Sequence, residues 1–170
     1  MKRVAVIGCC GAGKSTFARE LQDIFGLPVF HLDRLLWEPN WKQADMEIFR
    51  ERCREIYPQD EWIVDGNYSS TMKERFDRAD LIVFLDYSTP LCLWRVIQRT
   101  ISGYGRNRPD VGDGCIERFD LPFLRYVIDF RRKRRDNIIA ILDQYSADRI
   151  LQPRKPEEAA LMLSRLRAGK

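Results

Sequence analysis

The segment that most constrains this chain is Gly8-Cys9-Cys10-Gly11-Ala12-Gly13-Lys14-Ser15. It follows the short apolar, β-branched run Arg3–Gly8. It opens a stretch, Lys14–Phe25, in which Phe17, Leu21, Ile24 and Phe25 recur at helical spacing before Gly26. Strand, glycine turn and helix in that order satisfy the pattern G-x-x-x-x-G-K-[ST] in full. The glycines let the loop curl so that main-chain N–H groups converge on phosphate oxygens, and the helix N-terminus adds partial positive charge. Gly8, Gly11, Ala12, Gly13, Lys14, Ser15 and Thr16 are therefore the candidate nucleotide-binding residues. Lys14 is expected to reach the β- and γ-phosphates of ATP, and the Ser15 hydroxyl to ligate Mg²⁺. A glycine turn with no ligand is the bland alternative, and the strand–turn–helix context disfavours it.

The other apolar runs extend the same architecture. Pro28–Leu32, Trp62–Val64, Leu81–Leu85 and Arg149–Gln152 read as four further strands. Asp45–Tyr57, Leu91–Ile101, Leu121–Tyr145 and Pro156–Leu166 read as helices between and after them. Alternation of this kind predicts an α/β fold, a five-stranded parallel sheet with helices on both faces. At 170 residues the chain is expected to form one domain spanning 1–170, with a lid-like irregular segment at about 103–120 that is rich in Gly, Arg, Asp and Pro. A hydrophobic share of 45% excludes wholesale disorder. No run is long and apolar enough for a membrane span, and the N-terminal apolar run stops at Gly8 without a cleavage site, so a cytoplasmic location is expected. Five cysteines without CxxC spacing and a single histidine, His31, argue for reduced thiols and against a zinc site. Cys9 and Cys10 read as small filler, although a thiol beside a helix N-terminus can have a lowered pKa and be open to oxidation.

Three further groups are candidates for chemistry. A carboxylate at the end of a neighbouring strand is needed to hold Mg²⁺ through water. Asp65, followed by Gly66, and Asp86, followed by a helix start, both qualify, and Asp65 is favoured. Asp33 ends the second strand, where an acceptor pocket is expected, and reads either as a base for a hydroxyl or as a substrate ligand. Trp37, Trp41 and Tyr68 are candidates to wall a base pocket, whereas Trp62 fits the core better. Between Leu91 and Arg135, ten arginines and one lysine face five acids, while the rest of the chain carries slightly more acids than bases. Arginine suits bidentate phosphate contacts.

The loop, His31-Leu32-Asp33, Trp62–Thr71 (WIVDGNYSST), Asp80–Asp86 (DLIVFLD), Cys92–Arg95 (CLWR), Gly105–Asp110 (GRNRPD) and Phe119–Phe130 together resemble bacterial DNA topology modulation proteins. That family is similar to adenylate kinases and other small P-loop kinases. The resemblance implies a Mg²⁺-water role for Asp65 and a short lid whose Arg99, Arg106 and Arg108 close on phosphates. It also implies post-lid arginines at Arg131, Arg132, Arg134 and Arg135, of which Arg131 and Arg135 are candidate catalytic residues beside Lys14, Asp33, Arg106 and Arg108. The stretch around Gln152-Pro153 resembles the loop that packs on adenine. Adenylate kinases follow Asp-Gly with Phe-Pro-Arg; here Asn67-Tyr68-Ser69 stands in that place, which argues against AMP as acceptor.

The expected activity is phosphotransfer from ATP to a nucleotide or small hydroxylated acceptor. The alternative is a nucleic-acid-associated, ATP-dependent regulator that uses the basic segment as a backbone footprint. That segment lies between the fourth and fifth strands, where it can fold over the glycine loop, so the alternative is not favoured.

Overall fold

The computed structural model describes residues 1–108 and 110–169. Pro109, inside the lid-like range, and Lys170 lie outside the described residues. Strand β1 (Arg3–Gly8) leads into helix α1 (Lys14–Phe25), which ends at Gly26 in the left-handed region, φ 72°. Strand β2 (Val29–His31) runs directly into a short helix α2 (Leu32–Leu36). Leu32 therefore begins a helix, where the sequence reading places the end of a strand, and Asp33 sits in that helix's first turn. A small antiparallel hairpin follows, β3 (Trp37–Glu38) and β4 (Lys42–Gln43), with Asn40 and Trp41 both left-handed at its tip.

Helix α3 (Met46–Ile56) is capped by the Asp45 carboxylate, which accepts the Glu47 N–H at 2.7 Å. Strand β5 (Trp62–Asp65), helix α4 (Ser69–Arg78), strand β6 (Leu81–Leu85) and helix α5 (Thr89–Gly103) come next. After the lid-like segment, helix α6 (Leu121–Phe130) passes through one π-type turn at Arg131–Arg135 into helix α7 (Asp136–Leu142). Strand β7 (Ile150–Leu151) and helix α8 (Pro156–Ala168) close the chain.

The main sheet has the order β2-β5-β1-β6-β7, and every pairing in it is parallel. In β5 and β6 every residue is buried, and in β1 every residue after Arg3, so both faces of the sheet are covered. Val4, Ala5, Val6 and Ile7 with Ile63, Val64, Ile82 and Phe84 form the centre of the core. In such a sheet the carboxyl ends of the strands share one edge, and that edge carries the glycine loop, Asp33, Asp65 and Asp86. Among the described residues no helix is long and apolar enough to cross a membrane.

The loop after β5 is held from beneath. Arg75 of α4 is fully buried; its Nη2 donates to the Gly66 carbonyl at 2.6 Å and to the Asn67 carbonyl, and its Nη1 to Thr71 Oγ1 at 3.3 Å. Tyr57, which caps the end of α3, donates to the same Thr71 hydroxyl at 3.0 Å. Truncating Arg75 leaves two buried carbonyls without donors, a loss of ~1–3 kcal/mol each. Arg75→Ala is expected to lower Tm by roughly 4–24 °C, read by thermal denaturation, given about 2–4 °C per kcal/mol in a chain of this size. A melt within a degree of the parent shows that the loop does not depend on Arg75.

Candidate active site

The glycine loop is pinned at both ends. Asn67 grips Gly8 twice: its Oδ1 accepts the Gly8 N–H at 3.0 Å and its Nδ2 donates to the Gly8 carbonyl at 2.9 Å. Gly11 takes φ +83°, and a Cβ there would lie 2.2 Å from the Cys92 carbonyl oxygen, so only glycine fits against the start of α5. Gly13, at φ 89°, is the N-cap of α1 and offers no side-chain cap, which leaves the first N–H groups of the helix without a capping side chain. Lys14 curls back over the loop and donates to the Cys9 carbonyl at 3.2 Å. Burial opposes its charge, but the Cys10 sulfur, Asp33 and Asp65 outweigh that and hold its pKa above the usual lysine value.

Two carboxylates face Lys14. Asp33 accepts a hydrogen bond from the Tyr68 hydroxyl. Burial raises the Asp33 pKa, and Tyr68 and Lys14 counter only part of that rise. Asp65 shares Oδ1 with His31 Nδ1 at 2.9 Å, while its Oδ2 is buried without a protein partner. Burial pulls His31 down, and its bond to Asp65 more than restores it, so its pKa is raised. The Ser15 hydroxyl donates to Asp110 Oδ2 at 3.2 Å.

Asp86 has a different use. Its Oδ1 accepts from Arg131 Nη1 at 3.0 Å, Arg135 grips both oxygens, and Gln152 Nε2 donates to Oδ2 at 3.0 Å. Asp86 is thus fully partnered, which leaves Asp65 as the strand-end carboxylate with a free oxygen. The same contacts correct the expectation for Arg131 and Arg135. The wider π turn puts both guanidiniums on Asp86, away from the lining of the main cavity. Arg106 is also set apart: it is exposed on the lid-like turn and does not line the cavity. Arg108 does line it, as do Arg99 and Arg134.

Glu117 is the residue that sequence reasoning misses. Its carboxylate is 5% exposed, accepts from Thr100 Oγ1 at 2.9 Å, and lies 3.1 Å from Arg108 Nε and 3.7 Å from Arg99 Nε. Trp41 and Tyr68 also line the cavity, together with Trp37, whereas Trp62 is wholly buried in the core. The hairpin is joined to the lid-like segment by three bonds: Trp41 Nε1 to the Ile116 carbonyl at 2.7 Å, Asn40 N–H to the Gly114 carbonyl at 3.0 Å, and Cys115 Sγ to the Glu38 carbonyl at 3.2 Å.

The thiols of the loop are not activated. A hydrogen bond with Cys92 and burial push the Cys9 thiol up, and burial pushes Cys10 up, so proximity to the helix N-terminus does not win. All five cysteines are free.

The cavity measures about 1610 Å³ and is lined by Lys14, Ser15, Asp33, Asp65 and Asp110 together. A single ligand pocket runs to ~300–1,000 Å³, so this volume has room for two substrates side by side.

No family model matches the chain. A shikimate kinase of Parabacteroides distasonis is 40% identical over 57 residues, a match that spans 34% of this chain and only 32% of that protein. The solved structure described as shikimate kinase from Acinetobacter baumannii in complex with shikimate superposes with a TM-score of 0.62 at 14% identity, covering 100% of this chain and 95% of that one. The two share the P-loop fold of the nucleoside-monophosphate-kinase type, in this chain a five-stranded parallel sheet with helices.

Proposed function

We propose that the protein is an ATP-dependent phosphotransferase acting on a small hydroxylated acceptor. The observation that carries this reading is the single cavity in which Lys14, at the mouth of the phosphate-binding curl, faces Asp33, a carboxylate with a raised pKa. A solved structure with this fold is a kinase in complex with shikimate, which supports a small-molecule acceptor.

In this reading the loop N–H groups and Lys14 hold the triphosphate. The acceptor hydroxyl lies against Asp33. As its oxygen forms a bond to the γ-phosphorus, Asp33 takes the hydroxyl proton, and the bond from that phosphorus to the bridging oxygen breaks to release ADP. Lys14 neutralises the charge that builds on the transferring oxygens. Mg²⁺ fits the remaining donors: Asp65 Oδ2 is buried and unpartnered, and Ser15 supplies a hydroxyl once Asp110 gives it up. When bound, the ion would draw charge from the phosphate oxygens.

A nucleoside monophosphate bound in the adenylate-kinase manner is less favoured, because Asn67, at the position of the family's acceptor-binding stretch, is committed to Gly8. A nucleic-acid footprint is also less favoured. Arg131 and Arg135 are paired with Asp86, and Arg132 and Lys133 with Asp129, so much of the basic run is neutralised internally.

Lys14→Ala is expected to lower ATP turnover about 100-fold or more in a coupled assay for ADP. Parent-like rates would refute the phosphate assignment. Asp33→Asn is expected to cut phosphotransfer about 100-fold while ATP affinity stays close to that of the parent. A collapse of ATP affinity instead places Asp33 with the metal. Because Asp33 must be ionised and its pKa is raised, the acid limb of the kcat–pH profile is expected above the ordinary aspartate range. Tyr68 donates to the charged form, so Tyr68→Phe should move that limb to still higher pH; a shift downward contradicts the role of Asp33 as base.

A further inference from the structure

We propose that Cys9 of the glycine loop and Cys92 of α5 are a redox modification site: hydrogen peroxide joins them in a disulfide, and that bond weakens phosphate binding by the loop. The cross-link stands apart from the phosphotransferase reading; its effect on binding deepens it.

The two thiols meet where the loop packs on the start of α5. A Cβ at Gly11 would lie 2.2 Å from the Cys92 carbonyl oxygen, so the two backbones are in direct contact. Across the same seam the Cys9 thiol is hydrogen-bonded to the Cys92 thiol. Both residues are buried and both thiols are free. The other cysteines face elsewhere. Cys10 lines the main cavity, Cys115 bonds the Glu38 carbonyl at 3.2 Å, and Cys53 lies beside Tyr57 and Thr71.

Cys92 sits in the first turn of a fifteen-residue helix, whose N-terminus favours an anion. The hydrogen bond from Cys9, with Lys14 and Arg95 adding to it, lowers the Cys92 pKa against burial and Asp86. Hydrogen-bonded thiols share a proton and titrate as a pair. Cys9, for its part, adjoins a void of about 10 Å³ whose wall includes Asp86, Arg131 and Arg135. That is about the space of one water-sized probe. The Arg131 side chain is 45% exposed, so the void lies at the surface end of the seam.

The chemistry starts from the singly deprotonated pair. With the shared proton on Cys92, the Cys9 thiolate attacks one peroxide oxygen and the O–O bond breaks. The departing hydroxide takes up a proton as water, and Cys9 becomes a sulfenic acid. Cys92 loses its proton and attacks the Cys9 sulfur, the S–O bond breaks, and a second water leaves. Two thiols give up two electrons and two protons, and one peroxide becomes two waters.

A disulfide holds its Cβ atoms ~3.8 Å apart. Gly11 already touches α5, so the adjustment falls on residue 9. The Cys9 carbonyl accepts the Ala12 N–H at 3.0 Å and Lys14 Nζ at 3.2 Å. Turning that peptide releases both the curl and the lysine.

The test treats the reduced full chain with hydrogen peroxide, blocks the remaining thiols, and reads intact mass and a peptide map. Loss of two hydrogens, a linked Cys9–Cys92 peptide pair and three blocked thiols are expected. AMP-PNP affinity, measured by calorimetry with Mg²⁺, is expected to fall ~10-fold or more and to return after dithiothreitol. Cys92→Ala leaves the loop sequence intact; it is expected to bind AMP-PNP like the parent before oxidation and to form no disulfide at Cys9. Absence of a Cys9–Cys92 link in the oxidised parent overturns the proposal, as does a link made instead through Cys10, Cys53 or Cys115. A linked protein that binds AMP-PNP as the reduced one does overturns the effect on the loop. If the reduced parent does not bind AMP-PNP at all, the phosphotransferase reading fails on its own, and the peptide map still decides whether the disulfide forms.

Discussion

The cavity depends on how the chain is held as it leaves β1. A strand that turns sharply into a helix exposes peptide groups that neither element can satisfy. Here one amide side chain, Asn67, closes both the N–H and the carbonyl of Gly8. Gly8 also has no room for a side chain, since a Cβ would stand 2.7 Å from the Leu85 carbonyl oxygen. Asn67 is in turn held by the buried Arg75 guanidinium through its carbonyl. The line from Arg75 through Asn67 to Gly8 ties the start of the glycine loop to the core. Networks of this kind are costly to leave half satisfied and so favour a single geometry.

Charge placement follows the same logic. A buried ionised group is tolerated only with partners, and each buried acid along the carboxyl edge has its own. Asp86 has two arginines and Gln152; Glu117 has Thr100 and two arginines. Asp33 has only a phenol, which leaves burial dominant and its proton affinity high. Asp65 keeps one oxygen without a partner. Glu117 also keeps one buried oxygen, Oε2, without a hydrogen-bond partner, and Asp33, Asp65 and Glu117 all line the cavity.

Much of this was legible in the amino-acid order. The glycine octapeptide, the apolar strands and the Asp at the ends of β5 and β6 follow from local pattern alone, and β1, α1 and β6 occupy the ranges that pattern predicts. Helix α4 was not legible, because its buried face is made partly of Thr71 and Arg75, so apolar periodicity is weak. The hairpin was not legible either. It is two residues per strand, and its left-handed Trp41 is stabilised by the distant Ile116 carbonyl rather than by any local turn residue. Arg131 and Arg135 read as phosphate ligands because arginine type carries no information about its partner. Asp86, some 45 residues away in sequence, decides it. Glu117 was hidden for the same reason: within the lid-like segment it looks like one more solvated acid.

The stitching of the hairpin to residues 112–116 has a mechanical consequence. Beyond its three hydrogen bonds, Gly112 lies so close beneath the Trp37 carbonyl that a Cβ would come within 1.9 Å. Arg108 stacks on Trp41 across the same seam. The two pieces cannot hinge separately without breaking that seam, so they form one stiff flap. Any motion of the tryptophan-bearing hairpin therefore carries Arg108 and residues 112–116 with it.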